Sequence, residues 1–129
     1  MTQDFPALTV LIDFDLLAPI EDVQLAIQSL AQRVKAEGGA GITGYRFYID
    51  PAGQTARGVV DYTSAQAWID YHEKAVHWPE MAQWRAAARL EGLTFLGDMA
   101  PEIRAWMAAR GMTVPTRAGY DHAAGFLRK

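Results

Sequence analysis

The first regular pattern in the chain covers residues 8–17, where Val10, Ile12, Phe14 and Leu16 alternate with Leu11, Asp13 and Asp15. A period of two sends successive side chains to opposite faces, so this segment is a strand with one apolar and one mixed face. Pro19 then stands where a first helical turn tolerates a missing N–H. Ile20, Val23, Ile27, Leu30 and Val34 follow at three- and four-residue spacing until Gly38-Gly39 stops the run. That spacing predicts an amphipathic helix of about sixteen residues. Alternation returns over residues 42–50, with Tyr45, Phe47 and Ile49 on one side and Gly44, Arg46 and Tyr48 on the other. Asp50-Pro51-Ala52-Gly53 is turn chemistry, and residues 55–62 complete a hairpin.

Thr63 with Gln66 three residues on is a capping-box pattern, opening a helix that places Trp68, Tyr71, His72 and Ala75 on one side. Pro79 lacks a donor and restricts Trp78, which predicts a break near His77 and a second helical piece from Pro79 to about Leu90, ended by Gly92. A short strand over residues 93–97 and a last helix from Pro101 to Gly111, carrying Ile103, Trp106 and Met107, follow. Residues 112–129 show no firm period and read as an arm or loose tail beyond a single domain of residues 1–111. The order is β-α-β-β-α-β with an extra C-terminal helix, the ferredoxin-like split βαβ arrangement of the α+β class. It predicts a four-stranded antiparallel sheet with both main helices on one face, because each crossover is right-handed. The other face is left without helices, so a second copy of the chain is expected to cover it and give a homodimer.

Composition narrows the chemistry. The 129 residues carry 12 basic and 15 acidic side chains, a formal charge of −3, with no run of Lys or Arg. Such a chain lacks the basic patch that supplies most nucleic-acid affinity. No stretch approaches the ~20 apolar residues of a membrane helix, and Met1-Thr2-Gln3-Asp4 is no signal-peptide start, so a cytoplasmic protein is expected, with neither nucleic acid nor membrane as partner. The absence of cysteine excludes disulfides, thiolate nucleophiles and Cys-ligated metals. Gly38-Gly39-Ala40-Gly41 precedes a strand instead of opening a helix, which makes it a turn and not a dinucleotide fingerprint. His72 and His77, at i,i+5, do not share a helical face as zinc-binding histidines at i,i+4 do. No cofactor and no metal are therefore expected.

The order of elements and the segment DYTSAQAWIDYHEKAVHWPEMAQWRAAARLEGLTFLG resemble the dimeric α/β-barrel superfamily, and within it the antibiotic-biosynthesis-monooxygenase-like group. The resemblance spans residues 8–98 and lies in a strand ending in an aromatic, a Ser or Thr cap, a helix bearing a histidine, and a terminal strand after a glycine. It implies two sheets from two subunits closing into a barrel, with a pocket between each sheet and its helices. It also implies cofactor-independent oxidation of a phenolic, quinol or polyketide-like aromatic, in which a base deprotonates the substrate and the resulting carbanion reduces oxygen. Haem-degrading members of the superfamily use an Asn and a haem-ligating His late in the second helical region. This chain has no Asn, and residues 80–90 contain no His, so it departs from that branch.

Under that reading His72 is the candidate base, a ring with an ordinary pKa of ~6.5 set among aromatics. The alternative is a core or surface histidine bonded to a carboxylate. Arg57 or Arg46 would hold the substrate anion, with Asp61 as a further catalytic carboxylate and Asp13 and Tyr48 beside them on the less apolar strand faces. Cross-strand ion pairing explains the same residues without a ligand. Trp68, Tyr71 and Trp84 are the expected pocket walls, although aromatics are also ordinary core material. A non-catalytic module that binds a small ligand or only dimerises is the rival function.

Overall fold

The computed structural model describes residues 5–128. It contains nine elements: β1 (Leu8–Leu16), α1 (Ile20–Glu37), β2 (Ile42–Asp50), β3 (Thr55–Tyr62), α2 (Ala65–Ala75), α3 (Pro79–Ala87), β4 (Ala88–Gly97), α4 (Pro101–Ala109) and β5 (Thr116–Tyr120). The strands form one sheet in the order β2-β3-β1-β4-β5. The first four are antiparallel neighbours, as the ferredoxin-like order requires, and β5 adds a parallel fifth strand beside β4. The expected four-stranded antiparallel sheet is thus corrected to a five-stranded mixed one. Its extra strand comes from the segment read as an arm, where Arg117 pairs with Thr94 and Tyr120 with Leu96. Five residues rich in Thr, Arg and Gly carry too short an alternation to announce a strand; the exposed edge of β4 supplies the template instead.

The second correction lies between α3 and β4. Arg85-Ala86-Ala87-Ala88-Arg89-Leu90 has high helix propensity, yet the helix ends at Ala87 and Ala88 is extended, at φ −148° and ψ 138°. Cross-strand pairing decides this: Ala88, Arg89 and Leu90 lie opposite Leu16, Asp15 and Phe14, and Leu17 N–H donates to the Ala87 carbonyl at 2.8 Å. Propensity is a weak prior against a full ladder of that kind. The predicted break at Pro79 is present, with Trp78 extended as the N-cap and Pro79 in the first turn. The cap of α2 is Ser64, whose hydroxyl accepts from Ala67 N–H at 3.1 Å, and not Thr63.

The core fills the space between the sheet and its helices. Leu8, Val10, Phe14, Val60, Tyr62 and Phe95 point from the strands toward Val23, Leu30, Trp68, Trp84 and Ile103 of the helices, all buried. α1 packs on α3, and α2 on α4. Gly58 is a fitted position: a Cβ there would stand 2.7 Å from the ring of Phe47, which lies over it. The opposite face carries Leu11, Val59 and Leu96, half-buried, within a field of charged residues.

Candidate active site

Where Phe47 spreads over Gly58, the sheet and the three helices do not close completely. They leave a cavity of about 140 Å³. Its floor is Ile12, Phe14, Phe47 and Val60 of the sheet, and Leu30 of α1 closes one side. Tyr71 and His72 enter from α2, Met81 and Trp84 from α3, and Met112, just beyond α4, completes the wall. Arg85, an exposed side chain, stands at the rim. Its guanidinium forms no ion pair with any described carboxylate.

His72 is the titratable group at the centre of this arrangement. Its Nδ1 lies 2.7 Å from the Trp68 carbonyl oxygen, one helical turn back, an acceptor that holds the proton on Nδ1. Nε2 is then the nitrogen with the lone pair. The ring stacks on Trp68 at 3.9 Å between centroids, and Trp106 packs edge-on against Trp68 at 5.3 Å. Burial pushes the imidazole pKa down to about 4, the Trp68 hydrogen bond partly opposing this and the Arg85 charge adding to it. At neutral pH His72 is therefore an uncharged ring, able to accept a proton.

Three tyrosines share the cavity. Tyr45 and Tyr71 hydroxyls are 3.4 Å apart and bond to each other. Burial drives the Tyr45 and Tyr62 pKa values well above the ordinary 10, and Tyr71 to about 12, where the Tyr45 hydrogen bond and Arg85 hold it lower than burial alone would. All three remain protonated at neutral pH and offer hydroxyls to a ligand. Trp84 is buried against Phe14 and Phe47, both edge-to-face, and its indole N–H meets no acceptor.

The structure divides the residues singled out in the sequence into two groups. His72, Tyr71 and Trp84 meet at the cavity. Trp68 stands behind His72 as its stacking partner, 1% exposed, and is a support and not a wall. Arg57, Asp61, Arg46, Tyr48 and Asp13 lie across the sheet, on the face without helices. The period of two separates them: Val60 and Tyr62 point into the core, so Asp61 between them points out. There Arg57 donates to Asp13 at 2.8 Å, and Asp61 accepts from Arg46 at 3.0 Å and from the Thr9 hydroxyl at 2.7 Å. These are the cross-strand pairs of the simpler explanation. Asp13, Tyr48 and Arg57 also border an open groove of about 480 Å³ at the end of the β2–β3 hairpin. Of the remaining histidines, His77 is exposed and His122 packs on Phe5 at 4.6 Å. Among the described residues no group of three or more His, Asp or Glu side chains could hold a metal ion.

Sequence reasoning misses Arg85, Tyr45, Tyr62 and Met112 as site residues. A signal for the tyrosines exists in the sequence, since both occupy core-facing strand positions, where a phenol hydroxyl needs a partner. Nothing local marks Arg85 or Met112, whose roles depend on where α3 and the segment after α4 are docked.

No protein-family model matches the sequence, and no curated protein does. Among solved structures the chain is similar to MupZ from Pseudomonas fluorescens, at 13% identity and a TM-score of 0.68, over 94% of this chain and 93% of that one. The fold is that of the dimeric α/β-barrel group. A second member, SnoaB from Streptomyces nogalater, a cofactor-independent oxygenase, aligns at 11% identity and a TM-score of 0.61, over 72% of this chain and 93% of that one. The alignment with MupZ covers enough of this chain to include part of the segment from Pro101 onward. In the dimeric α/β-barrel fold a cavity between sheet and helices is where the sequence resemblance expects a pocket, and the His72 cavity occupies that place. No described helix is long and apolar enough to cross a membrane.

Proposed function

We propose that the chain is a cofactor-independent oxygenase that oxidises a small phenolic aromatic held in the sheet–helix cavity. The observation that carries this is His72, an uncharged imidazole with its Nδ1 proton committed to a backbone carbonyl, in an aromatic cavity of a fold shared with SnoaB. Nε2 accepts the phenolic proton, and the electron-rich ring carbon then transfers an electron to oxygen. Recombination forms a carbon–oxygen bond, and breakage of the O–O bond releases water. Counted on the keto tautomer of the phenol, a methylene carbon and one dioxygen become a carbonyl carbon and one water, all four electrons coming from the substrate. A phenolate beside Nε2 reverses the environment that lowers the pKa of the empty site, because an adjacent anion favours imidazolium. Arg85 at the rim supplies further positive potential, the role expected of Arg57 or Arg46 until the sheet separates them from His72.

A second reading, a binding module of the same fold, is favoured by the low pKa itself, which makes His72 a weak base until an anion arrives. Oxygen uptake with a panel of phenols and quinols and no added cofactor decides between the two. Wild type should consume oxygen, and His72→Ala should lose about 10²- to 10⁴-fold while keeping its fold. Saturable binding without oxygen uptake selects the binding module. We also assign the helix-free face to a second copy of the chain, in keeping with the dimeric α/β-barrel fold. Leu11, Val59 and Leu96 form its apolar centre, and the Arg57–Asp13, Arg46–Asp61 and Arg89–Asp15 pairs lie around them.

A further inference from the structure

We infer that the cavity is built for a single-ring hydroxyaryl carbonyl compound, its phenol O–H directed to His72 and its carbonyl oxygen received by Tyr62 and Trp84. This rests on the reading above and narrows it to a substrate class.

Size gives the first constraint. An apolar protein cavity of about 150 Å³ takes up benzene. At about 140 Å³ the present one holds one aromatic ring with small substituents, and a fused three-ring ligand exceeds it. The polar groups give the second constraint. Tyr45 and Tyr71 share a hydrogen bond that uses one of their two O–H groups. Three further groups of the wall have no partner among the described side chains. His72 Nε2 is an acceptor, because Nδ1 faces the Trp68 carbonyl. The Tyr62 side chain is 1% exposed, and its hydroxyl bonds to no described residue, its hydroxyl neighbours being the mutually paired Tyr45 and Tyr71. Trp84, 3% exposed, keeps an indole N–H with no acceptor. Buried polar groups are nearly always bonded, so unpartnered ones beside a cavity mark what its occupant must supply. Nε2 only accepts, the Trp84 indole only donates and the Tyr62 hydroxyl can do either, so the occupant must bring at least one donor and one acceptor, which a phenol O–H and a carbonyl supply. An alkylphenol brings no second oxygen and leaves the Trp84 donor unpaired.

Binding of three probes to the wild-type protein tests this, by calorimetry: 4-hydroxyacetophenone, 4-ethylphenol of the same shape without the carbonyl, and three-ring anthrone. The hydroxyketone should bind about tenfold more tightly than 4-ethylphenol, the worth of one to two neutral hydrogen bonds, and anthrone should be weakest. Tyr62→Phe and Trp84→Phe should each reduce the ratio between the two affinities. Should either variant fail to fold, the wild-type indole N–H resonances give the same information. One of the four should shift with 4-hydroxyacetophenone and stay in place with 4-ethylphenol. Equal affinity for the two phenols, tighter binding of anthrone, no shifted indole resonance, or no binding of any probe overturns the inference. Because these readouts are affinities and shifts, oxygen uptake in parallel separates the failures. Selective binding without turnover refutes the oxygenase and leaves this assignment standing, whereas turnover of anthrone does the reverse.

Discussion

His72 shows how a single residue's surroundings set its chemistry. The same imidazole on an exposed helix would be partly protonated near its ordinary pKa of ~6.5. Buried against Trp68, it stays neutral down to about 4, even though the hydrogen bond to the Trp68 carbonyl favours the charged form. The unfolded chain therefore binds a proton that the folded chain does not in the window between these values, and stability rises with pH there. The contribution is complete above pH ~6.5 and is lost as pH falls toward 4, by an amount on the order of 3 kcal/mol at most. Urea unfolding of wild type at pH 7 and pH 4.5 should show this loss. His72→Phe, which keeps a stacking ring without the titration, should show a clearly smaller pH dependence over the same interval. An identical dependence in the two proteins would move the acid sensitivity elsewhere.

At the scale of elements, local signals and tertiary pairing compete, and the winner differs from place to place. The break between α2 and α3 is local, since Pro79 cannot donate and holds Trp78 extended. The start of α2 is local as well, but at Ser64. There the extended backbone, at φ −164° and ψ 166°, lets the side-chain oxygen reach Ala67 N–H. Ser64→Ala should cost about 1 kcal/mol, the usual worth of an N-cap, while Thr63→Ala should change stability by less than about 0.5 kcal/mol. Chemical denaturation of both variants checks the order, and a larger loss at Thr63 would restore the capping-box register. The end of α3, by contrast, is decided by β1. Nothing between Arg85 and Leu90 stops a helix, and the chain becomes a strand where Leu16, Asp15 and Phe14 offer it partners.

For the whole molecule, the sheet has two faces with different tasks. One builds the core and the His72 cavity, and the other presents paired charges around Leu11, Val59 and Leu96. A twofold contact is self-complementary, so in the proposed dimer the ion pairs of one copy would meet those of another across a shared apolar centre. Light scattering at micromolar concentration should give about twice the chain mass, and Leu11→Glu, which sets an unpaired charge at that centre, should give the chain mass with an unchanged circular dichroism spectrum. A monomeric wild type would remove the barrel arrangement.

The sequence by itself determined the order of the elements as far as α4, the faces of β1, β2 and β3, the proline break, and the choice of His72, Tyr71 and Trp84 as candidates. These follow from periodicity, from the missing proline donor and from residue chemistry, all of them local. Tertiary structure decided that Arg57, Asp61, Arg46, Tyr48 and Asp13 lie across the sheet from His72, because alternation defines two faces without saying which one the second helix covers. It decided that Arg85, Tyr45, Tyr62 and Met112 border the cavity, because their neighbours are distant in the chain. It decided also that residues 116–120 extend the sheet, since a short polar strand forms only where an edge of β4 offers unpaired N–H and C=O groups.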